Sequence, residues 1–595
     1  MVAVERRWRA PVPASVNHAH GAVAAIWHGD LNRAEFSHAG ECVLDPPRNG
    51  IQSITQAARI VIEQMRSIGT LYDETGKLSC DAETLIGQTG LWGLSVKESY
   101  SGCGASWSEL ISVITHMASV EPTVAGMLSV HCSIGAVSAI EEFGSQQQKV
   151  RWLPELARGE PLSIFAATEP QAGCDLGQVA SSLVPYEDHW LLSGKKIFIT
   201  GARAGRLVKV LVRHCEKAAV VLVRLPSSDT KQCHLFEYGL HPLRRTHNRG
   251  IEFHDFRVEQ NDLLVAPGGD GMKIVWHGLD RGRITLAAQA AGTLRMVLAS
   301  AVEFSKRRCT WGAPIASRQL VQGRFGRIAA AIVGCDSLAT WAARCIDSVG
   351  SAELEAITAK ITASDALRMA ANEAMKVHGG RSFLQGHPLG DSLHDLFAAG
   401  IYEGESDLLG LAFMKVLARS HPLASIAPRL SKGRRLAAWL RWRCERATAS
   451  MTDRSENTIV DKRLRAHARL ARRQLGFLAV KFDRQLRLYG RKLAEKQMES
   501  LSLSEEIRAW LSVLATSHVA DAITEPSVAD AADCFCRDAA ARAMGKRLTS
   551  GDLVAFAALG EMVVNGHFTP LLQTRCVSSQ THFDDVCHST DHTIV

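Results

Sequence analysis

Four short stretches decide how this chain is assembled: Lys196-Ile197-Phe198-Ile199-Thr200, Val208-Lys209-Val210-Leu211-Val212, Val220-Val221-Leu222-Val223 and Ile251-Glu252-Phe253-His254-Asp255-Phe256. Each is rich in β-branched or aromatic residues, and turn residues lie between them, so together they read as a run of short strands. On both sides the pattern is helical. Before the strands, Leu110, Ile114, Met117 and Ala118 fall on one helical face; after them, Leu286, Ala290, Leu294, Val297, Ala301 and Phe304 do the same. The expected architecture is an α+β multidomain chain. It has an N-terminal arm (1–50), an N-terminal helical domain (51–164), a middle β-barrel or sandwich domain (165–275), a C-terminal helical bundle (276–420) and an extra C-terminal helical extension (421–595).

The 595 residues are 46% hydrophobic and 22% charged, the composition of a soluble globular protein with roughly four domains' worth of chain. No uninterrupted apolar run of about 18 residues occurs, so no membrane-spanning helix is expected. Fifteen cysteines without a CxxC pair point to a reduced, cytoplasmic compartment. The Arg6, Arg7 and Arg9 region lacks the apolar core of a signal peptide and reads as a loose arm.

The net charge of +7 is uneven, because residues 421–500 hold 20 Lys and Arg against 7 Asp and Glu, which leaves the rest of the chain net acidic. Within that segment Leu475, Leu478, Ala479, Phe482, Leu486, Tyr489 and Leu493 form an apolar stripe, with Lys481, Arg484, Arg487, Arg491 and Lys492 on other faces. Arg434, Arg435, Arg441, Arg443 and Arg446 interleave with Trp439 and Trp442. This pattern suits peripheral contact with an anionic membrane surface or an acidic protein partner. Nucleic acid is not expected, since no recognised binding module accompanies the charge. The tail carries His582, Asp584, Asp585, Cys587, His588, Asp591 and His592, but no helix signature holds them, and no metal site is expected.

General motif searches return no Walker loop, HExxH, GxSxG or dinucleotide-type GxGxxG. The most informative local sequence is Ile401-Tyr402-Glu403-Gly404, just before a helix that begins near Ser406. Two readings stand. Burial of Glu403 against an apolar ligand would raise its pKa toward that of a working base. Alternatively, Glu403 is a helix N-terminal acid stabilised by the dipole.

Four motifs, in order along the chain, resemble the acyl-CoA dehydrogenase family. Thr168-Glu169-Pro170-Gln171-Ala172-Gly173-Cys174-Asp175 is similar to the TEPxAGSD signature, and Lys195-Lys196-Ile197-Phe198-Ile199-Thr200 to the strand ending in an aromatic residue, Ile and Thr or Ser. Arg308-Cys309-Thr310-Trp311-Gly312-Ala313-Pro314-Ile315 with Gln319 is similar to RxxFGxPI followed by Gln, and Gly379-Gly380 through Tyr402-Glu403-Gly404 to the GG…YEG close. Asp280-Arg281-Gly282-Arg283 also fits. The resemblance covers about Arg59 to Ser420, and the length is that of long family members with a helical C-terminal extension.

The resemblance implies FAD as cofactor. Thr168 would serve the flavin's pyrimidine edge, Phe198 and Thr200 its ring near the reactive nitrogen, Arg308 the pyrophosphate, and Gln319, Gly379 and Gly380 the adenosine half; Gly173, Thr310 and Ser406 belong to the same cofactor set. It implies Glu403 as the base that removes the α-proton of an acyl thioester while the β-hydrogen leaves as hydride. Cys174, Asp280, Arg283, Tyr402 and Gly404 would meet the substrate, an acyl-CoA or an acyl carrier protein thioester. It also implies an electron-transfer flavoprotein or similar acceptor and a homodimer. The alternatives are an oxidase that uses oxygen and a flavin-binding scaffold with lost activity.

Some positions depart from the family pattern. Gly282 occupies the alternative base position, which sharpens the assignment to Glu403. Cys174 replaces a serine, Glu405 adds an acid two residues from the base, and Asp407, Lys376, His394 and Ser382 are also unusual. The added acids are expected near FAD's anionic groups, with Lys376 compensating.

Overall fold

In the computed structural model the residues described are 20–31, 36, 47–424, 431–452 and 458–571, so the metal-ligand types of the tail, His582 to His592, lie outside them. The β-branched runs form strands β1 (Ser163–Ala166), β2 (Ser182–Tyr186), β3 (His189–Thr200), β4 (Leu207–His214), β5 (Lys217–Arg224), β6 (Cys233–Phe236), β7 (Asn248–Glu259) and β8 (Leu263–Leu264). They make one eight-stranded sheet in the order β6-β7-β3-β2-β4-β5-β8, with β1 parallel to β4.

Alternation along β4 explains why it carries apolar residues on both faces, with Lys209 alone interrupting the run from Leu207 to Val212. Val208, Val210 and Val212 enter a core with Leu183, Leu192, Val221, Ile251 and Phe253. Leu207 and Leu211 point the other way, against Ile140, Trp152, Leu153 and Ile274 of the flanking helices. The sheet is thereby fixed to the helical domain, and the rim where they meet is where the candidate site lies.

The spine of the molecule is the 37-residue helix Gly271–Arg307, capped by the Asp270 side chain, which accepts from the Met272 N–H. Helix Trp107–Val120 packs on it so closely that a Cβ at Gly292 would lie 2.3 Å from the Thr115 carbonyl oxygen. Helices Gln319–Val349, Glu353–His378 and Ser406–Arg419 complete the bundle.

The extension docks on this body as further helices, Lys432–Thr452, Lys462–Tyr489, Gln497–Asp521, Pro526–Ala543 and Ser550–Val564. Ser550–Val564 meets Gln319–Val349 backbone to backbone: a Cβ at Gly560 would fall 1.7 Å from the Gln322 carbonyl oxygen, and one at Gly326 would fall 1.9 Å from that of Phe556. In the basic helix Lys462–Tyr489, Leu475, Leu478, Ala479 and Phe482 are buried and Leu486 and Tyr489 partly so, as is Leu493 just beyond it. The stripe read from the sequence is therefore the docking face.

Two expectations change. Within the N-terminal arm, Gly21–His28 is helical, and all of it but Val23 and His28 is buried, rather than loose. Trp27 stacks on Phe482, its carbonyl accepts from Trp442 Nε1 (3.1 Å), and Arg446 donates to the Ile26 carbonyl (3.0 Å), so this segment pins the extension to the bundle. Second, Pro122–Phe143, Gly271–Arg307 and Gln319–Val349 are long and apolar enough to cross a membrane by length and composition. The most apolar window of each is 78%, 61% and 89% buried inside the protein, which accounts for that apolarity without a bilayer.

Candidate functional site

The loop Gly400–Glu405 joins two helices at the rim of a cleft of about 3100 Å³. Glu403 has a left-handed backbone (φ 57°), a conformation that costs a non-glycine residue about 1–3 kcal/mol, and Gly404 follows at φ 102°. Two buried cations hold the strained turn by its carbonyls. Lys360 Nζ donates to the Gly404 oxygen (2.6 Å), and Arg283 Nε donates to the Glu403 oxygen (3.3 Å).

The Glu403 side chain lies against helix Gly271–Arg307 where that helix has no side chain. A Cβ at Gly282 would sit 2.9 Å from Glu403 Oε2. Gly282 therefore does more than fail to supply a base: its lack of a side chain makes the space Glu403 uses. Oε2 is buried and accepts no hydrogen bond from the described residues. Burial pushes the carboxyl up to about 7, with Arg283 and Lys360 pulling the other way. Burial likewise brings Lys360 down to about 8, against the pull of Glu403.

The two open readings of the YEG sequence resolve onto two different residues. Glu405, not Glu403, is the helix cap, its carboxylate accepting from the N–H groups of Asp407 and Leu408, each at 3.0 Å. It is thus engaged by its own helix rather than free as a second acid. Lys376 pairs with Glu373 (3.0 Å) rather than compensating Asp407, and His394 stacks on His241 while Asp395 accepts from the Leu243 N–H.

The opposite wall comes from the sheet. Thr168, Gly173, Cys174, Phe198 and Thr200 line the same cleft as Arg283, Tyr402, Glu403, Gly404 and Ser406. Phe198 is 54% exposed and has φ 58°. The Thr168 turn is fixed from below by a wholly buried Lys196, which donates to Glu169 Oε1 (2.7 Å) and to the carbonyls of Ala167 and Leu211. Asp280 does not line the cleft; it pairs with Arg283 NH1 (3.0 Å), and burial pushes it to about 7.

The remaining residues lie elsewhere. Arg308, Thr310, Gln319, Gly379 and Gly380 do not line this cleft. Cys309–Thr310 and Ala313–Pro314 form a hairpin whose tip, Trp311, is 92% exposed, and Arg308, Gln319, Gly379 and Gly380 are exposed as well. Lys360 belongs to none of the motifs in the sequence. The signal was present, since a lone lysine stands in the apolar helical run Ala356-Ile357-Thr358-Ala359-Lys360-Ile361, where a cation requires a buried partner.

A helical bundle and a sheet thus enclose one cleft, with the Glu403 carboxylate on one wall and Phe198 and Thr200 on the other. Three family models match in chain order: the acyl-CoA dehydrogenase N-terminal domain over residues 52–160, the middle domain over 164–259 and the C-terminal domain over 269–417. An acyl-CoA dehydrogenase of Bacillus subtilis is 32% identical over 341 residues, 56% of this chain and 88% of the relative. The bovine mitochondrial short-chain specific acyl-CoA dehydrogenase is 28% identical over 62% of this chain and 90% of its own. In fold, a Bacillus anthracis acyl-CoA dehydrogenase solved with FAD superposes with a TM-score of 0.76 at 17% identity, over 92% of this chain and 99% of that one. The chain belongs to the acyl-CoA dehydrogenase family, FAD-dependent oxidoreductases that act on CH–CH groups.

Proposed function

We propose that this protein desaturates an acyl thioester between Cα and Cβ with FAD as cofactor and Glu403 as the base. The observation that carries the reading is the Glu403 carboxylate, its Oε2 buried and without a hydrogen-bond partner among the described residues, pushed to about 7 and lining a cleft whose far wall is Phe198 and Thr200. The residues present fit a flavin. Phe198 offers a half-exposed ring, Thr168 and Thr200 offer hydroxyls, and among the described residues, chain neighbours aside, nothing lies within 4 Å of where a Gly173 Cβ would be. When bound, FAD supplies the hydride acceptor.

The chain's own residues handle the proton. Above pH 7 Glu403 is ionised and takes the α-proton at Oε2. Arg283 and Lys360 hold the carbonyls of the turn, so the carboxylate does not swing away as its charge is lost. Among the described residues the Glu403 backbone N–H donates to no other group, which leaves it for the thioester oxygen, where it would stabilise developing negative charge. Anaerobic mixing of the flavin-loaded protein with a panel of acyl-CoA thioesters, followed by flavin bleaching, tests the reading. Parallel runs with carrier-protein thioesters choose the carrier. Oxygen consumption with peroxide release distinguishes an oxidase from an enzyme that passes electrons to a flavoprotein.

A homodimer is part of the proposal. It is supported by the position of Arg308, Gln319, Gly379 and Gly380 on an exposed face outside the cleft, from which they would serve the cofactor of a second copy. Sedimentation with and without FAD tests it. Peripheral membrane contact through the extension is supported by exposed Leu436, Leu440, Phe477 and Leu488 among Arg434, Arg435, Arg473 and Arg484. Co-sedimentation with anionic against neutral vesicles tests that.

A further inference from the structure

The sheet wall of the cleft contains a hydrogen-bond chain that runs from a backbone N–H through a tyrosine and an amide to a threonine hydroxyl. Along β3 and β7, Lys196 pairs with Ile251 and Ile199 with Arg249, so Ile197 and Phe198 together oppose the single residue Gly250. This bulge puts Phe198 at φ 58° and takes its N–H off the ladder. The Ile197 N–H reaches the Thr168 carbonyl (2.9 Å), and the Phe198 N–H donates to Tyr238 Oη. The Tyr238 ring stands edge-on to that of Phe198, with centroids 5.4 Å apart.

A backbone N–H can only donate, so Tyr238 Oη accepts there and spends its own proton on its other partner, Asn248 Oδ1 at 2.9 Å. That fixes the amide: the Asn248 NH2 group faces Thr200 and donates to Oγ1 at 3.0 Å. Because NH2 only donates, Thr200 must accept from Asn248. Its own proton is left over, and among the described residues it goes to no other group. Thr200 lines the cleft.

We propose that Tyr238 and Asn248 are positioning residues that fix the Thr200 hydroxyl as a hydrogen-bond donor into the cleft, toward the edge of the flavin ring. The proposal rests on the cleft being the FAD site. It explains why a bulge with a strained aromatic residue is built here: the bulge frees the N–H that orients the whole chain. Neither residue belongs to the motifs that identify the family in this sequence.

The proposal distinguishes two substitutions at one position. Asn248→Asp puts an acceptor where the NH2 group was, so Thr200 must turn its proton toward the carboxylate and away from the cleft. Asn248→Ala removes the partner but leaves the proton free. In the full-length, flavin-loaded protein, the readouts are the visible absorption bands and reduction potential of the bound flavin, with the flavin reduction rate alongside. Asn248→Asp is expected to match Thr200→Val in all three, with reduction slowed about tenfold, the worth of one hydrogen bond. Asn248→Ala is expected to fall between these variants and the wild type.

Asn248→Asp with wild-type spectrum and potential overturns the proposal, and so does Asn248→Ala equal to Asn248→Asp. If Asn248→Asp does not fold, Tyr238→Phe replaces it. Loss of that hydroxyl frees the amide to turn, so a shift in the same direction with FAD still bound is expected, and an unchanged spectrum overturns the relay. A wild-type protein that takes up no FAD contradicts the cofactor reading itself, whereas a loaded wild type with an unshifted Asn248→Asp contradicts the relay alone.

Discussion

The sheet and the bundle each bury a lysine beside a glutamate, and the two pairs do opposite things. In the sheet, Lys196 and Glu169 close on one another at 2.7 Å, and Glu169 also accepts from the N–H groups of Ala180 (2.7 Å) and Ser181 (3.0 Å), so both charges are satisfied. In the bundle, Lys360 gives its hydrogen bond to the Gly404 carbonyl, and Glu403 Oε2 accepts none. The first pair is a clamp that shapes the Thr168 turn. The second is a base held ready, with its cation near enough to moderate the charge but engaged elsewhere. What separates structure from chemistry is whether the carboxylate's lone pairs are taken, since both lysines are buried.

The comparison can be broken at either end. Glu403→Gln should leave fold and flavin content intact and lower turnover by about two to four powers of ten, read as the rate of flavin bleaching by substrate. Lys196→Met should do the reverse. It strands Glu169 in the sheet and costs about 3–5 kcal/mol of stability, seen as a lower Tm, without displacing the pH limb of whatever activity remains. Gly282→Ala tests the space the base occupies. A methyl 2.9 Å from Oε2 must push the carboxylate aside, and a displacement of that kind costs about a hundredfold in rate. The smallest effect is expected at Glu405→Ala, about 1 kcal/mol of stability from a lost cap, with the rate nearly unchanged. A large loss of rate there would mean that Glu405 is more than a cap.

Much of this was legible in the chain. β4 declares itself because Val208, Val210 and Val212 serve one face and Leu207 and Leu211 the other, so its burial on both faces is written as an apolar run broken only by Lys209. The apolar stripe from Leu475 to Phe482 docks as its period demands. At the site, the position of Glu403 follows from its motif, but its neighbours do not. Lys360 and Gly282 are 43 and 121 residues away in sequence, and only the packing of three helices brings them together. Glu403 and Glu405 have the same local composition, and which of them caps the helix depends on the left-handed turn at Glu403 and Gly404. The burial of Gly21–His28 was hidden because its partners, Glu355, Phe482 and Trp442, lie hundreds of residues downstream.

The central claim is that burial poises Glu403 near neutrality as the base. The direct measurement is the pH dependence of flavin reduction by an acyl thioester in the wild type, Lys360→Met and Glu403→Gln. Since the ionised form is the active one and burial pushes its pKa to about 7, the wild-type rate should rise with pH and reach half its maximum near pH 7. Lys360→Met removes a cation that favours ionisation and should move that limb to higher pH, while Glu403→Gln should lack the limb altogether. A limb that stays near pH 7 in Glu403→Gln, or a wild-type limb at the ordinary glutamate value, would contradict the account.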